Sequence, residues 1–445
     1  MVYDTSKETI LKPLRIFHSA DWHIGKGLGN IDRTDDFRVF FKDLLAMIAE
    51  RQPDVLLISG DVFDTSMPAN SAQRLYYDFM RSLEGTSVRA TIVTAGNHDS
   101  QRFLEAPRAL LETLRCYVAG DTVESQTFVL RDDDDGAPYL AVAAVPYLRE
   151  GDVRRGTMDD TDADRAQRFE AGVRAHYDTV HSLLTDELKG ARVPIVAMGH
   201  LFVTGSKMKP NSDPVESDGS VYVGTLRNVT ADAFGDTWDY VALGHIHHGQ
   251  EVKAKVPMRY SGSPVALSYS HMTYHHHIVE VTFDGTGAMR VEELPVKQPR
   301  HFVQVKGTLD ELKAGIDQAG ATYVMPFVEA TLTSDECLPD LSNELTTYGE
   351  THGVIVTAVR NEALAARYAQ INEEAPDLSD LTPDAVFKAY LRENFDEEVA
   401  QARFDLFADL FHEIVNDVHI HRKPVDDDGS IPSVAHEATA QQKDQ

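Results

Sequence analysis

Cysteine is almost missing from this chain, with two residues, Cys116 and Cys337, among 445. Two cannot build a disulfide framework, and neither has a Cys or His neighbour at zinc-site spacing. Both read as small buried apolar residues, and a reducing cytosol is the compartment they predict. No apolar run approaches the roughly 18 residues that a bilayer span requires, which predicts no membrane partner. The first twenty residues mix polar and apolar types without an h-region, so no secretory signal is expected. Positive charge is scarce: 42 Lys and Arg stand against 71 Asp and Glu, a formal net charge of −29. That balance excludes a basic surface that coats nucleic acid unaided. Much of the acidity lies in runs that read as loops or tails, at Asp132–Asp135, Asp159–Asp164 and Asp426–Asp428. A site built on dications would bring positive charge of its own.

What the chain has in quantity is one repeated local pattern in its first 250 residues. A short β-branched or apolar run ends in a small residue, and a metal-type side chain follows. The runs are Leu14–Phe17 before Asp21 and His23, Val55–Ile58 before Gly60 and Asp61, and Thr91–Thr94 before Gly96 and Asn97. Ile195–Met198 then precedes Gly199 and His200, and Tyr240–Leu243 precedes Gly244, His245 and His247. Apolar runs bounded by Gly read as buried strands. Helical patterns lie between several of them, as in Phe37–Ile48 with apolar residues at 37, 40, 41, 44, 45 and 48. Strands alternating with helices predict a layered α/β core whose strand ends gather in one crevice.

The character changes after about residue 275. Ile278–Phe283 alternates, Asp284–Gly285 turns, and Met289–Leu294 returns as a hairpin. Phe302–Val305, Phe327–Leu332 and Val354–Val359 read as further strands. Thr308 with Glu311 forms a capping-box signature for the helix between the first two. The expected division is a main domain at 1–275, a smaller α+β domain at 276–376, a helical segment at 377–423 and a polar, disordered tail at 424–445. In the helical segment, Thr382-Pro383-Asp384 is a helix start, and Phe404, Phe407, Leu410, Phe411 and Ile414 share one face. Such a stripe either folds back on the smaller domain or docks into a groove on a partner.

Seven donors, Asp21, His23, Asp61, Asn97, His200, His245 and His247, offer oxygen and imidazole without thiolate. That set suits Mn²⁺, Fe²⁺ or Zn²⁺. Residues two apart on an extended segment point the same way, so Asp21/His23 and His245/His247 are each expected to form a pincer. A carboxylate bridges paired ions best, and Asp61 is placed for it. The glycines at 60, 96, 199 and 244 let the backbone turn tightly. A lone His after Gly is more often structural than a ligand; five strand ends in order, each with a suitable donor, are not a chance pattern. His18 reads as structural, and His271 with His275–His277 as an exposed edge. His419 and His421 are read in the same way, as exposed residues of a polar end.

The ordered motifs Ser19–His23, Gly60–Asp64, Gly96–Asp99, Gly199–Leu201 and Gly244–His247 resemble those of calcineurin-like metallophosphoesterases. Finer features, His18–Gly25, Gly60–Thr65, Gly96–Ser100, Tyr240–His247 and Arg259–Leu267, are similar to the SbcD nucleases of bacteria. The resemblance implies a layered β-sandwich flanked by helices, a capping domain and C-terminal helices that dock on an SbcC-type ABC ATPase. It implies two divalent ions, Mn²⁺ above all. One takes Asp21, His23, Asp61 and His247, the other Asp61, Asn97, His200 and His245. It leaves His98 to face the phosphate as a catalytic acid. Asp64 either orients that imidazole or is a turn residue. The implied activity is a DNA nuclease, a 3′–5′ exonuclease and single-strand endonuclease, working as a homodimer within a heterotetramer on DNA ends and hairpins. A phosphomonoesterase or small cyclic-nucleotide phosphodiesterase would use the same core motifs. The stretch Thr204–Ser220 matches no feature of the family.

Overall fold

The computed structural model describes residues 12–153, 162–204, 228–334, 340–361 and Phe404. The chain divides into two units, Met1–Glu362 and Ala363–Gln445. The predicted C-terminal helices, the tail, His419, His421, Cys337 and most of Thr204–Ser220 lie outside the described residues.

Four strands, β1 (Leu14–Ser19), β2 (Val55–Ser59), β3 (Ala90–Thr94) and β4 (Cys116–Val118), run parallel in sequence order. All five residues of β2 and of β3 are buried, as parallel strands covered on both faces require. The covering on one face comes from α1 (Thr34–Arg51) and α2 (Asn70–Ser82). Phe37, Phe40, Phe41, Leu44 and Ile48 of α1 pack with Tyr76 and Phe79 of α2 in one cluster. Asp35 and Asp36 sit in the first turn of α1, where they complement the helix dipole, and Gln52 closes it in a left-handed cap. Two short helices, α3 (Gln101–Glu105) and α4 (Arg108–Thr113), follow β3.

The second sheet starts with β5 (Thr127–Arg131) antiparallel to β6 (Pro138–Ala144). After α5 (Glu150–Val153) and the long α6 (Asp162–Leu188), β7 (Ile195–His200) returns parallel beside β6. A two-stranded ribbon, β8 (Phe202–Val203) and β9 (Asn228–Val229), precedes β10 (Tyr240–Gly244), β11 (Gln250–Glu251) and β12 (Met258–Tyr260). The order in this sheet is β11-β12-β10-β7-β6-β5, with α6 packed outside it through Phe169, Val173, Tyr177 and Leu184. Between the sheets lies an apolar layer that includes Ile16, Leu57, Ile92, Val142, Met198 and Ala242. The main body is thus helix, sheet, sheet, helix, the layered sandwich that the motifs implied.

The hairpin β13 (His277–Phe283) and β14 (Met289–Pro295) forms as the alternation predicted, but not in the smaller domain. β13 pairs antiparallel with β1, so the hairpin completes the first sheet in the order β14-β13-β1-β2-β3-β4. The reason is long-range: β1 has an open edge, and Val279 and Val281 fill the layer between the sheets. This also overturns the exposed edge expected for His271, His276 and His277, while His275 is exposed as expected. β14 covers β13, and His276, His277 and His271 are all buried.

The smaller layer is the parallel sheet β15 (Phe302–Gly307), β16 (Phe327–Leu332) and β17 (Ile355–Asn361), carrying α7 (Leu309–Thr322) and α8 (Leu341–Thr351). α7 starts at the predicted capping box: Thr308 Oγ1 accepts from the Glu311 N–H, and the Glu311 carboxylate accepts from the Thr308 N–H at 2.8 Å. Among the described residues no helix is long and apolar enough to cross a membrane.

Candidate metal centre

All seven predicted donors follow the carboxyl ends of β1, β2, β3, β7 and β10 or sit at them, on one pole of the sandwich. Asp61 lies at the middle. Its Oδ2 is 3.1 Å from His200 Nε2 and 3.5 Å from His23 Nε2. On one side His23 Nε2 faces His247 Nε2 at 3.1 Å, and Asp21 joins these two in a compact donor group. On the other side Asn97 Oδ1 is 3.1 Å from His200 Nε2 and 2.9 Å from His245 Nδ1. Asp21 also groups with Asp61 and His200, and its Oδ1 accepts from the His245 N–H at 2.8 Å, tying the two sides together.

The backbone that delivers these side chains is not the extended one expected. Asp21, His23, Asp61 and His245 all have positive φ, at 54°, 47°, 48° and 96°. Non-glycine residues rarely occupy this region, and when they do the surroundings must hold them there. Here Asp21 and His23 donate their N–H groups to the carbonyls of Gly60 and Asp61, so the turns after β1 and β2 zip together. Trp22 anchors between the two donors: its indole N–H reaches Ser19 Oγ at 2.8 Å, and its ring packs edge-on to Phe40, Phe41 and Phe79. The pincer therefore forms through two left-handed residues around a buried anchor. A Cβ on Gly60 would stand 2.2 Å from His200 Nδ1, and one on Gly96 would stand 2.1 Å from Asp61 Oδ1.

The electrostatics fit a site for divalent metal. Burial would raise Asp61, yet His200 and His23 hold its carboxyl well below the usual range. Burial would lower His200, but the Asp61 charge lifts it to about 9. The buried carboxylates Asp21 and Asp61 bring negative charge that a bound divalent ion would balance. His245 is pushed down to about 3, first by burial and then by His200, and His247 falls well below its ordinary value for like reasons. The neutral Nε2 of His247 thus meets His23 Nε2 at 3.1 Å, a spacing natural for two nitrogens on one ion. His200 Nδ1 is 2.8 Å from the Ser59 carbonyl, which can only accept, so that bond directs its Nε2 toward Asp61.

His98 stands beside this cluster, its ring edge-on to His23 at 4.8 Å, and it groups with His23 and Asp61. Its Nδ1 donates to the backbone carbonyl of Asp64 at 2.9 Å. Of the two readings left open for Asp64, a contact to His98 is present, but it comes from the main-chain carbonyl and not from the carboxylate. That carboxylate lies 3.3 Å from His23 Nδ1 and 3.2 Å from Lys26 Nζ, so Asp64 steadies a donor with its side chain and His98 with its main chain. The sequence assigned no role to Asp99. Its buried carboxylate accepts from the N–H groups of Val62, Phe63 and Gly96, at 2.9–3.0 Å, and clamps the turns after β2 and β3. Burial and then the Asp61 charge raise it to about 6. The acid after Asn97 and His98 was the available signal. His18 is buried against the Tyr240 hydroxyl at 3.0 Å and serves the packing between sheets.

A two-layer sheet with paired carboxylate and imidazole donors at its strand ends defines a metallophosphoesterase. The calcineurin-like phosphoesterase family matches residues 14–249, and the chain belongs to it. A second family, described as the type 5 capsule protein repressor C-terminal domain, matches residues 298–395. The chain is 31% identical over 407 residues to the SbcD component of the SbcCD nuclease of Rhodobacter capsulatus, covering 84% of this chain and 94% of that protein. It is 29% identical over 408 residues to the SbcD component of the SbcCD nuclease of Escherichia coli K12, covering 91% and 99%. Within the phosphoesterases, the chain is a member of the SbcD nuclease family.

Proposed function

We propose that this chain is a metal-dependent DNA nuclease, the SbcD-type component of an SbcCD complex. The observation that carries the reading is the pair of donor groups sharing Asp61, with His98 beside them and outside the seven donors. Asp21, His23, Asp61 and His247 would hold one ion, and Asp61, Asn97, His200 and His245 the other. Two divalent ions there, Mn²⁺ in this reading, supply Lewis acidity toward phosphate and a nucleophile at neutral pH. The chain's own residues do the rest. Asp61 and Asp21 balance the charge, Ser59 and Asp64 fix the rotation of His200 and His23, and Asp99 locks the turns. His98, its Nδ1–H committed to the Asp64 carbonyl, leaves Nε2 free for substrate; as the imidazolium it would donate the Nε2 proton to a phosphate oxygen or to the leaving 3′-oxygen and return to the neutral ring.

The finer reading is a 3′–5′ exonuclease and single-strand endonuclease acting on DNA ends and hairpins, in the cytoplasm. It places a homodimer of this chain in a heterotetramer with an ABC ATPase, docked through the helical segment at 377–423. In that reading the smaller domain, starting after the β13–β14 hairpin, is a cap. The test is cleavage of linear DNA by the full chain purified with its ATPase, with Mn²⁺, with and without ATP. Mn²⁺-dependent shortening that chelation abolishes is the expected result. Turnover of small chromogenic diesters with intact DNA would overturn the reading.

A further inference from the structure

The two donor groups differ in what lies behind them. His200 ends β7, and Asn97 and His245 follow β3 and β10 at the carboxyl pole. His23 and His247, the imidazoles of the other group, are each backed by a segment that meets the small sheet β15–β17. After His23, the loop residues Leu28 and Ile31 pack with Phe302, Phe327 and Ala266 in one apolar cluster. At the end of that loop Arg33 and Asp36 are buried and paired at 2.9 Å, and Arg300 reaches the same carboxylate at 2.6 Å. Behind His247 stands the 3₁₀ turn Tyr269–Thr273.

That turn is a short link of five residues. Its His271 is buried, with the ring edge-on to His247 at 5.2 Å and stacked on Tyr274 at 4.7 Å. Its Nδ1 accepts from the Leu267 N–H at 3.2 Å. His276 braces the same segment through the Ser263 carbonyl at 2.7 Å, and the Ser263 N–H donates to the His247 carbonyl at 3.1 Å. Two residues before His271, Tyr269 faces the other way. Its hydroxyl is 2.5 Å from Thr357 Oγ1 on β17, and its ring lies edge-on to Phe302 of β15 at 5.0 Å.

We infer that the small domain positions one donor group only, that of Asp21, His23 and His247, with the Tyr269–Thr273 turn as the link to His247. Close-packed contacts transmit displacement instead of absorbing it, and donors must be held within about 0.5 Å to bind an ion well. His271 and Tyr269 are positioning residues in this scheme. A partner that moves the small sheet would tune one ion and leave the other in place. The inference rests on the two-ion reading above.

The test uses the metal-free full-length chain. Tyr269→Phe and Thr357→Val each remove the hydroxyl contact while keeping size, and Thr357→Ser restores it. Hydrogen exchange is read at residues 265–274 without metal, and Mn²⁺ binding is then read by calorimetry. Faster exchange in Tyr269→Phe and Thr357→Val is expected, with one Mn²⁺ site weakened roughly 10-fold and the other unchanged, and with only a small drop in unfolding temperature. Thr357→Ser should match the parent. Unchanged exchange overturns the link whether or not the parent chain binds two ions, and equal weakening of both sites overturns its selectivity. If the parent binds fewer than two ions while exchange still responds, the two-ion reading fails and the mechanical link stands.

Discussion

The two poles of the sandwich are built from the same strands and hold charge in opposite ways. At the amino ends, Lys12 and Arg89 pair with Asp132 at 2.8 and 3.4 Å, and Arg115 pairs with Asp133 at 2.8 Å. A cavity of about 440 Å³ opens there, lined by Arg89, Tyr117 and Tyr139 among others. Most of these charges reach solvent, and each has an ordinary partner. At the carboxyl ends Asp21, His23, Asp61, Asp99, His200 and His247 are buried. Left-handed residues occur at both poles, but Gln52, Arg115 and Lys189 follow helix ends, where that conformation is a routine cap. Asp21, His23, Asp61 and His245 have no such excuse. Strain and buried charge, not cavity size, mark the chemical pole.

The sharpest way to break this contrast is Asp61→Asn. It should lower DNA cleavage by roughly 10³-fold or more and reduce Mn²⁺ content at both positions, read by elemental analysis. Near-normal metal content and turnover would remove Asp61 from the bridge. Next, Gly60→Ala should cost about 3 kcal/mol, since it adds left-handed strain to a clash with His200. Gly136→Ala, also left-handed but with nothing within 4 Å, should cost about 1 kcal/mol. Equal losses in thermal unfolding would deny that the chemical pole is the tighter one.

His98→Ala separates chemistry from metal holding. Turnover should fall about 10²-fold with both ions retained, and metal loss would show that His98 is a donor. A pH effect of similar size concerns the buried histidines outside the seven donors. Burial pushes His18 down to about 3 and His276 down to about 4. Above pH 6.5 each is neutral folded or unfolded and contributes nothing. Below it the unfolded chain takes protons that the fold refuses, so stability falls with pH, by about 2 kcal/mol per residue at pH 5. Unfolding temperatures of the metal-free protein between pH 7 and 5 check this, and His18→Gln should flatten the slope. Smallest of all, Arg115→Gln at the amino pole should change stability by less than about 0.5 kcal/mol and leave cleavage untouched, since exposed pairs contribute little.

Much of this protein was written in local pattern. The five donor-bearing strand ends follow a short apolar run and a small residue, and that pattern located those five strands and the seven side chains that gather at their ends. The Thr308–Glu311 cap and the β13–β14 hairpin were readable for the same reason: turns, caps and alternation are matters of a few neighbouring residues. What tertiary structure decided lay in contacts between distant segments. Only pairing with β1 assigned the hairpin to the first sheet, and only contacts with distant segments, β14 for His277 and the Ser263 carbonyl for His276, buried those two rings. The zipper between the turns after β1 and β2 holds Asp21 and His23 left-handed, where a local rule expected extended chain. Asp64 and Asp99 took their places because a carboxylate or carbonyl binds whichever N–H the fold brings to it. Residue type limits which bonds are possible; position in space selects among them.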